Sequence, residues 1–221
     1  MRFPNAHNGV KKIFTAEILS LIGTVTLIIA AILALATGAM VETGTADAAV
    51  NATMGMAAGF AIFGLVGSIL ILVAFIMNLV GILSARKDEG LFSTALAFTI
   101  IGIAVSVLAG IFSKNELFGD FAQIITTFAE MMVAYYVVQG IMNLAVRLQN
   151  TEMYERGNQV RKYLMIAYCV PIIIHFISTI LSMNTDSVLA EGLALFASVV
   201  TLVVYVIYLG YLSKAKKMLE E

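Results

Sequence analysis

Six long apolar runs constrain this chain more than any other feature of its sequence. They lie at about 13–40, 55–84, 92–112, 121–148, 163–183 and 192–212. Each reaches or exceeds the ~20 residues that an α-helix needs to cross a bilayer core of ~30 Å. A helix satisfies its backbone polar groups within one apolar segment, so the runs predict an all-α, polytopic membrane helix bundle with six transmembrane helices. We expect residues 1–221 to form a single membrane domain.

The composition indicates the same class. The chain is 61% hydrophobic and 12% charged, whereas a soluble domain carries about 25% charged residues. With a net charge of −1, it lacks the basic surface that neutralises phosphates, which argues against nucleic acid as a partner. A single cysteine, Cys169, excludes an intramolecular disulfide. We therefore expect the lipid bilayer as the main surrounding and no metal or cofactor.

The distribution of lysine and arginine along the chain predicts its orientation in the membrane. Of the 13 basic residues, all but Lys114 fall on one side of a six-span chain. The positive-inside rule then predicts that both termini are cytoplasmic. Short loops and the lack of room for a soluble module favour a multi-pass protein of a bacterial cytoplasmic membrane. The basic residues on the predicted inner side are Arg2, Lys11, Lys12, Arg86, Lys87, Arg147, Arg156, Arg161, Lys162, Lys214, Lys216 and Lys217.

The connections between the runs differ in character. The first two runs are longer than a bilayer requires, which predicts tilt or a helical extension into water. Val41–Thr53 is predicted to be an aqueous loop, whereas Asn150–Lys162 has a composition compatible with a helix. The charged tail Ser213–Glu221 is predicted to continue the last helix into water.

The fourth run, Phe121–Gln149, carries polar residues on two sides of the predicted helix. Glu130 and Gln139 are nine positions apart and point in nearly opposite directions at about 100° per residue. Gln139 and Asn143 share a second stripe. Since each polar group in a membrane needs a partner, the pattern predicts a central helix with little lipid-facing surface.

Glu130 and His175 are the ionisable residues deepest in the predicted membrane. Both lie at similar depth from the outer ends of their runs, and Tyr168 shares a helical stripe with His175. One hypothesis is that Glu130 and His175 form a buried pair in a cavity that binds a solute or responds to protons. The alternative is a hydrogen bond that only ties two helices together. Gln139 and Asn143 complete the set of binding candidates.

A second polar cluster is predicted near the cytoplasmic side. Glu17 lies shortly after Lys12, and Asn78 lies two turns before Arg86. The more ordinary interpretations are that Glu17 reaches the interface or pairs with a lysine, and that the asparagine bonds another helix.

Two functions from different classes remain open. No zinc-protease, hydrolase or P-loop motif is found, so we expect no enzyme. The first function is binding or transport of a small solute through a polar site within the bundle. The second is a non-transporting assembly or regulatory role, in which the protein contacts another membrane protein or its own copies. The small residues Gly102, Ser106 and Gly110, four apart, would allow close packing within the bundle or at such an interface.

Overall fold

The structure, a computed structural model, describes residues 2–43, 46–112, 116–182 and 187–220. Within these ranges it does not describe the side chains of residues 35–43, 46–57, 116–117, 120, 171–172, 174–182 and 187–199. The elements in the described part of the chain are six helices, so the all-α prediction is confirmed. They are α1 (Pro4–Thr43), α2 (Ala46–Ala85), α3 (Leu91–Ile111), α4 (Glu116–Arg147), α5 (Thr151–Ser182) and α6 (Ser187–Glu220).

Four helical segments among the described residues are long and apolar enough to cross a membrane. They are Pro4–Ala34, Ala58–Ala85, Leu91–Ile111 and Phe121–Arg147, and they correspond to the first four predicted runs. The fifth and sixth runs fall partly on residues whose side chains are not described. The count of six spans, the orientation of the termini and the single membrane domain therefore stay predictions.

Helices replace much of what the sequence predicted as connections. α1 and α2 are 40 residues long each, or about 60 Å at ~1.5 Å per residue, and α6 runs through the charged tail to Glu220. The prediction of an aqueous loop at Val41–Thr53 is wrong, because α1 continues to Thr43 and α2 begins at Ala46. Alanine, which recurs in this segment, has the highest helix propensity of all residues and outweighs the few polar side chains.

A tight turn joins α4 to α5. Gln149 adopts a left-handed conformation with φ 57°, and the backbone N–H of Asn150 donates to the carbonyl of Ala145 at 2.9 Å. This is a Schellman ending, here with glutamine at the position that glycine usually occupies. The Asn150 side chain then accepts a hydrogen bond from the backbone N–H of Met153 at 2.9 Å and caps α5. The turn makes α4 and α5 an antiparallel pair.

The chain divides into two compact units, residues 1–11 with 79–221, and residues 12–78. In the first unit, α4 packs against α3 and α5, and α5 packs against α6. The core lies near the α4–α5 turn, where the buried positions of α5 and α6 recur at helical spacing. Its largest fully buried side chains are Val10, Ile82, Phe92, Val137, Val138, Ile141, Met142, Leu144, Tyr211, Leu212 and Leu219.

The second unit contains a close crossing of two helices. A Cβ atom added to Gly23 would lie 3.1 Å from the carbonyl oxygen of Gly67, and one added to Gly67 would lie 3.0 Å from that of Gly23. Two glycines thus let the backbones of α1 and α2 approach each other, as small residues do between membrane helices. The predicted row on α3 has no comparable contact: Gly102 faces the Cβ of Ala129 at 3.6 Å.

Candidate functional site

The turn between α2 and α3 holds the beginning of α1. Asp88 accepts a hydrogen bond from Asn5 Nδ2 at 2.9 Å and one from the backbone N–H of Ala6 at 2.8 Å. Ser84 Oγ donates to the carbonyl of Asn5 at 3.2 Å. The first N–H groups of a helix have no partner within the helix, and a carboxylate is favourable at this positive end of the helix dipole. Asp88 therefore serves as a capping group for a helix more than 80 positions away.

The adjacent residue, Glu89, is buried and holds the end of α4. Only 6% of its side chain is exposed, and Arg147 Nη2 lies 2.9 Å from its Oε2 atom. Asn143 Nδ2 donates to its other oxygen at 3.3 Å. Asn143, a predicted binding residue, is thus engaged with a carboxylate of the α2–α3 turn. These contacts tie the turn to α4 as well as to α1.

A third group of polar residues lies between α4 and α5, which we call the Arg161 cluster: Arg161, Gln139, Asn158 and Tyr135. Arg161 donates from Nη1 to Gln139 Oε1 at 2.5 Å and from Nη2 to Asn158 Oδ1 at 2.9 Å. Its guanidinium also lies over the Tyr135 ring, 5.5 Å from the centroid. Gln139, another predicted binding residue, therefore orients an arginine of the next helix.

Glu17 and Asn78 meet in the second unit. Asn78 Nδ2 donates to Glu17 Oε1 at 3.2 Å, and both side chains are part-buried. The structure thus brings together the two residues that the sequence placed in an inner polar cluster. The bond joins α1 to α2, which agrees with an interhelical structural role.

One face of α4 changes from buried to exposed along its length. Ala134, Val137 and Ile141 are 7%, 1% and 0% exposed, and their spacing of three and four places them on one stripe. Glu130 continues this stripe toward the N-terminus of α4 and is exposed, as is Gln123 two turns further.

We call Gln123, Thr127 and Glu130 the α4 polar stripe. Thr127 Oγ1 donates to the carbonyl of Gln123 at 2.9 Å. Within the described residues, Glu130 has no hydrogen bond or ion pair. The expectation that it is buried does not match its exposed position here.

The remaining predicted residues lie on α5. His175 falls within the helix, but its side chain is among those that the structure does not describe, so the proposed pairing with Glu130 stays a prediction. Tyr168 is half-buried and makes a hydrogen bond, ring contact or electrostatic interaction with another residue.

The sequence interpretation missed Asp88, Glu89 and Arg161. Asp88 and Glu89 lie in the segment Arg86-Lys87-Asp88-Glu89-Gly90, which has the composition of a solvated loop, and nothing local in the sequence marks either residue as having a partner. Arg161 and Lys162 directly precede the apolar run that begins at Tyr163, which is a typical position for an interfacial arginine.

No protein-family model, curated protein or solved structure matches this chain. The described residues contain no group of three or more histidine, cysteine, aspartate or glutamate side chains that could hold a metal ion. The helices themselves indicate the class: four segments among the described residues have the length and apolar composition of membrane spans, as in a helical membrane protein.

Proposed function

We propose that the protein binds or transports a small solute in a crevice that is lined by the α4 polar stripe. The observation that carries the proposal is the change along one face of α4. The residues nearer the α4–α5 turn are almost completely buried, while Glu130 on the same face is exposed. Such a face is expected for a crevice that is closed at one end by packed side chains and open at the other.

The chemistry of the stripe supports a binding role. Glu130 lies within the apolar segment Phe121–Arg147, where an ionisable group is costly and usually has a function. Thr127 uses its hydrogen to bond its own helix and keeps acceptor capacity, and Gln123 adds an amide. A solute that enters the crevice would therefore meet mostly acceptor groups. No catalytic step is proposed, and we place the protein in a bacterial cytoplasmic membrane.

Cysteine accessibility tests whether the stripe faces water. We would replace Cys169, which is exposed, by Ser and introduce Glu130→Cys or Gln123→Cys in the full chain in vesicles. The probe is methanethiosulfonate ethyltrimethylammonium, a membrane-impermeant cation that reacts with thiolates in water. We expect rapid labelling at both positions.

Phe128→Cys is the matched control for this experiment. Phe128 is also exposed on α4, at 45%, but it lies two positions from Glu130 and therefore on nearly the opposite face. We expect slow labelling there because that face contacts lipid. Equal labelling of Phe128→Cys and Glu130→Cys, or no labelling of Glu130→Cys, contradicts a crevice.

The second candidate function is assembly with another membrane protein or with further copies of this chain. The observation in its favour is that Ser106 and Gly110 on α3 are exposed, with open space around Gly110. Disulfide crosslinking through Ser106→Cys would detect copies in contact at this row. Crosslinked dimers, together with an unreactive Glu130→Cys, would favour assembly over solute binding.

A further inference from the structure

Among the described residues, no acidic side chain balances the charge of Arg161. Both of its described hydrogen-bond acceptors, Gln139 and Asn158, are neutral amides. Within the described residues, no carboxylate lies at ion-pair distance from its guanidinium; Glu152 pairs with Arg156 instead. A guanidinium has five N–H donors, so most of its bonding capacity remains after these two bonds. Two amides and a ring thus hold an arginine in place without neutralising it.

The Arg161 cluster lies on an exposed apolar surface between α4 and α5. On α4, Tyr135 and Gln139 share a face with Phe128, which is 45% exposed. On α5, Arg161 shares a face with Met165, which is 46% exposed. Both apolar side chains lie on the side of the cluster away from the α4–α5 turn, so the positive charge borders the kind of surface that lipid chains cover.

Three helices place this cluster at the edge of the apolar layer. The apolar run of α5 begins at Tyr163, directly after Arg161 and Lys162. α3 begins at Leu91, and the ring of Phe92 lies beside Gly140, where an added Cβ atom would be 2.8 Å from the ring. Gly140 follows Gln139, so the beginning of the α3 span, the beginning of the α5 run and the guanidinium lie at a similar level. Lipid headgroups occupy this level of a bilayer.

We infer that Arg161 binds the phosphate of an anionic phospholipid in the groove between α4 and α5. The guanidinium offers the phosphate two parallel N–H donors, and Tyr135 and the two amides orient it in advance. The exposed Lys162 beside it adds a second positive charge. The apolar surroundings favour a lipid over free phosphate, because the acyl chains cover side chains that a free ion would leave in contact with water. This site is separate from the α4 polar stripe and does not depend on the proposed function.

The test compares lipid binding by variants of the full chain in detergent, with native mass spectrometry as the readout. The probes are dioleoyl-phosphatidylglycerol and dioleoyl-phosphatidylcholine, and the measured quantity is the ratio of their apparent affinities. We expect the wild type to prefer phosphatidylglycerol. In Arg161→Gln the ratio of the two apparent affinities should fall about fivefold, as expected for the loss of one basic residue near an anionic headgroup. Arg156→Gln removes the same charge from the same helix, where Glu152 pairs it, and should keep the preference.

A second variant tests the same idea without removing the arginine. Asn158→Asp is nearly isosteric and places a carboxylate beside the guanidinium, so it should compete with the lipid phosphate and reduce the preference. Asn150→Asp makes the same change at the cap of α5, where aspartate also caps a helix, and should leave the preference intact.

Four results would overturn the inference: no preference in the wild type, equal losses in Arg156→Gln and Arg161→Gln, an unchanged preference in Asn158→Asp, or displacement of the lipid by excess inorganic phosphate. If Arg161→Gln does not fold, the lipid preference of Asn158→Asp alone tests the inference.

Discussion

Replacing Arg147 by Gln is expected to destabilise the protein much more than replacing its partner Glu89 by Gln. The two side chains form one ion pair, but they differ strongly in burial: 52% of the Arg147 side chain is exposed and only 6% of that of Glu89. Arg147→Gln leaves a buried carboxylate without its counter-ion. Glu89→Gln leaves a half-exposed guanidinium, which water can hydrate.

The expected magnitudes follow from this difference. Breaking a fully buried pair by removing one partner costs about 3–5 kcal/mol. Because solvent reaches Arg147 and screens the pair, we reduce this to about 2 kcal/mol for Arg147→Gln. In Glu89→Gln the amide oxygen still accepts the bond from Asn143, so we expect a loss below about 1 kcal/mol. The double variant should resemble Glu89→Gln alone, because neutralising the buried group removes the cause of the larger loss.

The measurement is the free energy of unfolding of the full chain in detergent micelles, followed by the loss of helical circular dichroism. Arg156→Gln is the matched control, since its pair with Glu152 is exposed on both sides, at 41% and 80%, and should contribute less than about 0.5 kcal/mol. Equal losses for Arg147→Gln and Glu89→Gln, or a double variant as unstable as Arg147→Gln, would refute the reasoning from burial.

Three further substitutions test the packing of the first unit by the same unfolding measurement. Gly9→Ala should destabilise the protein by at least about 1–3 kcal/mol, because its Cβ atom would lie 2.5 Å from the backbone oxygen of Gly81. Gly210→Ala, with nothing within 4 Å of the added atom, should instead be neutral or stabilise through helix propensity. Similar losses at both sites would contradict the close approach of the two backbones at Gly9 and Gly81. Tyr211→Phe should leave stability unchanged or raise it by up to about 1 kcal/mol, because the buried Tyr211 hydroxyl has no hydrogen-bond partner in the described part of the structure. A clear loss would show that this hydroxyl has a partner.

The α2–α3 turn shows why part of the site could not be predicted. Its segment Arg86-Lys87-Asp88-Glu89-Gly90 has the composition of a solvated loop, and charged loop residues usually face water. In the structure the two acidic residues have different partners: Asp88 caps α1, and Glu89 is buried against α4. Nothing local in the sequence distinguishes these outcomes, because both partners come from distant parts of the chain.

The polar residues of α4 show the same limit of prediction from sequence. Their periodicity predicted correctly that Glu130 and Gln139 point in different directions, since helical geometry alone determines this. It could not predict that Gln139 would orient Arg161, or that the face of Glu130 would be buried at one end and exposed at the other. Burial depends on which helices lie alongside, and this is a property of packing.

The sequence by itself determined that the chain is helical and suited to a membrane, because length and hydropathy within each segment are sufficient for that conclusion. It also indicated the helical tail and the long first two helices. Only the tertiary structure decided which polar side chains meet, where Gly23 and Gly67 bring two backbones together, and which end of the Glu130 face of α4 is buried. These features depend on contacts between residues that are dozens of positions apart, and an apolar sequence of low diversity is compatible with many such arrangements.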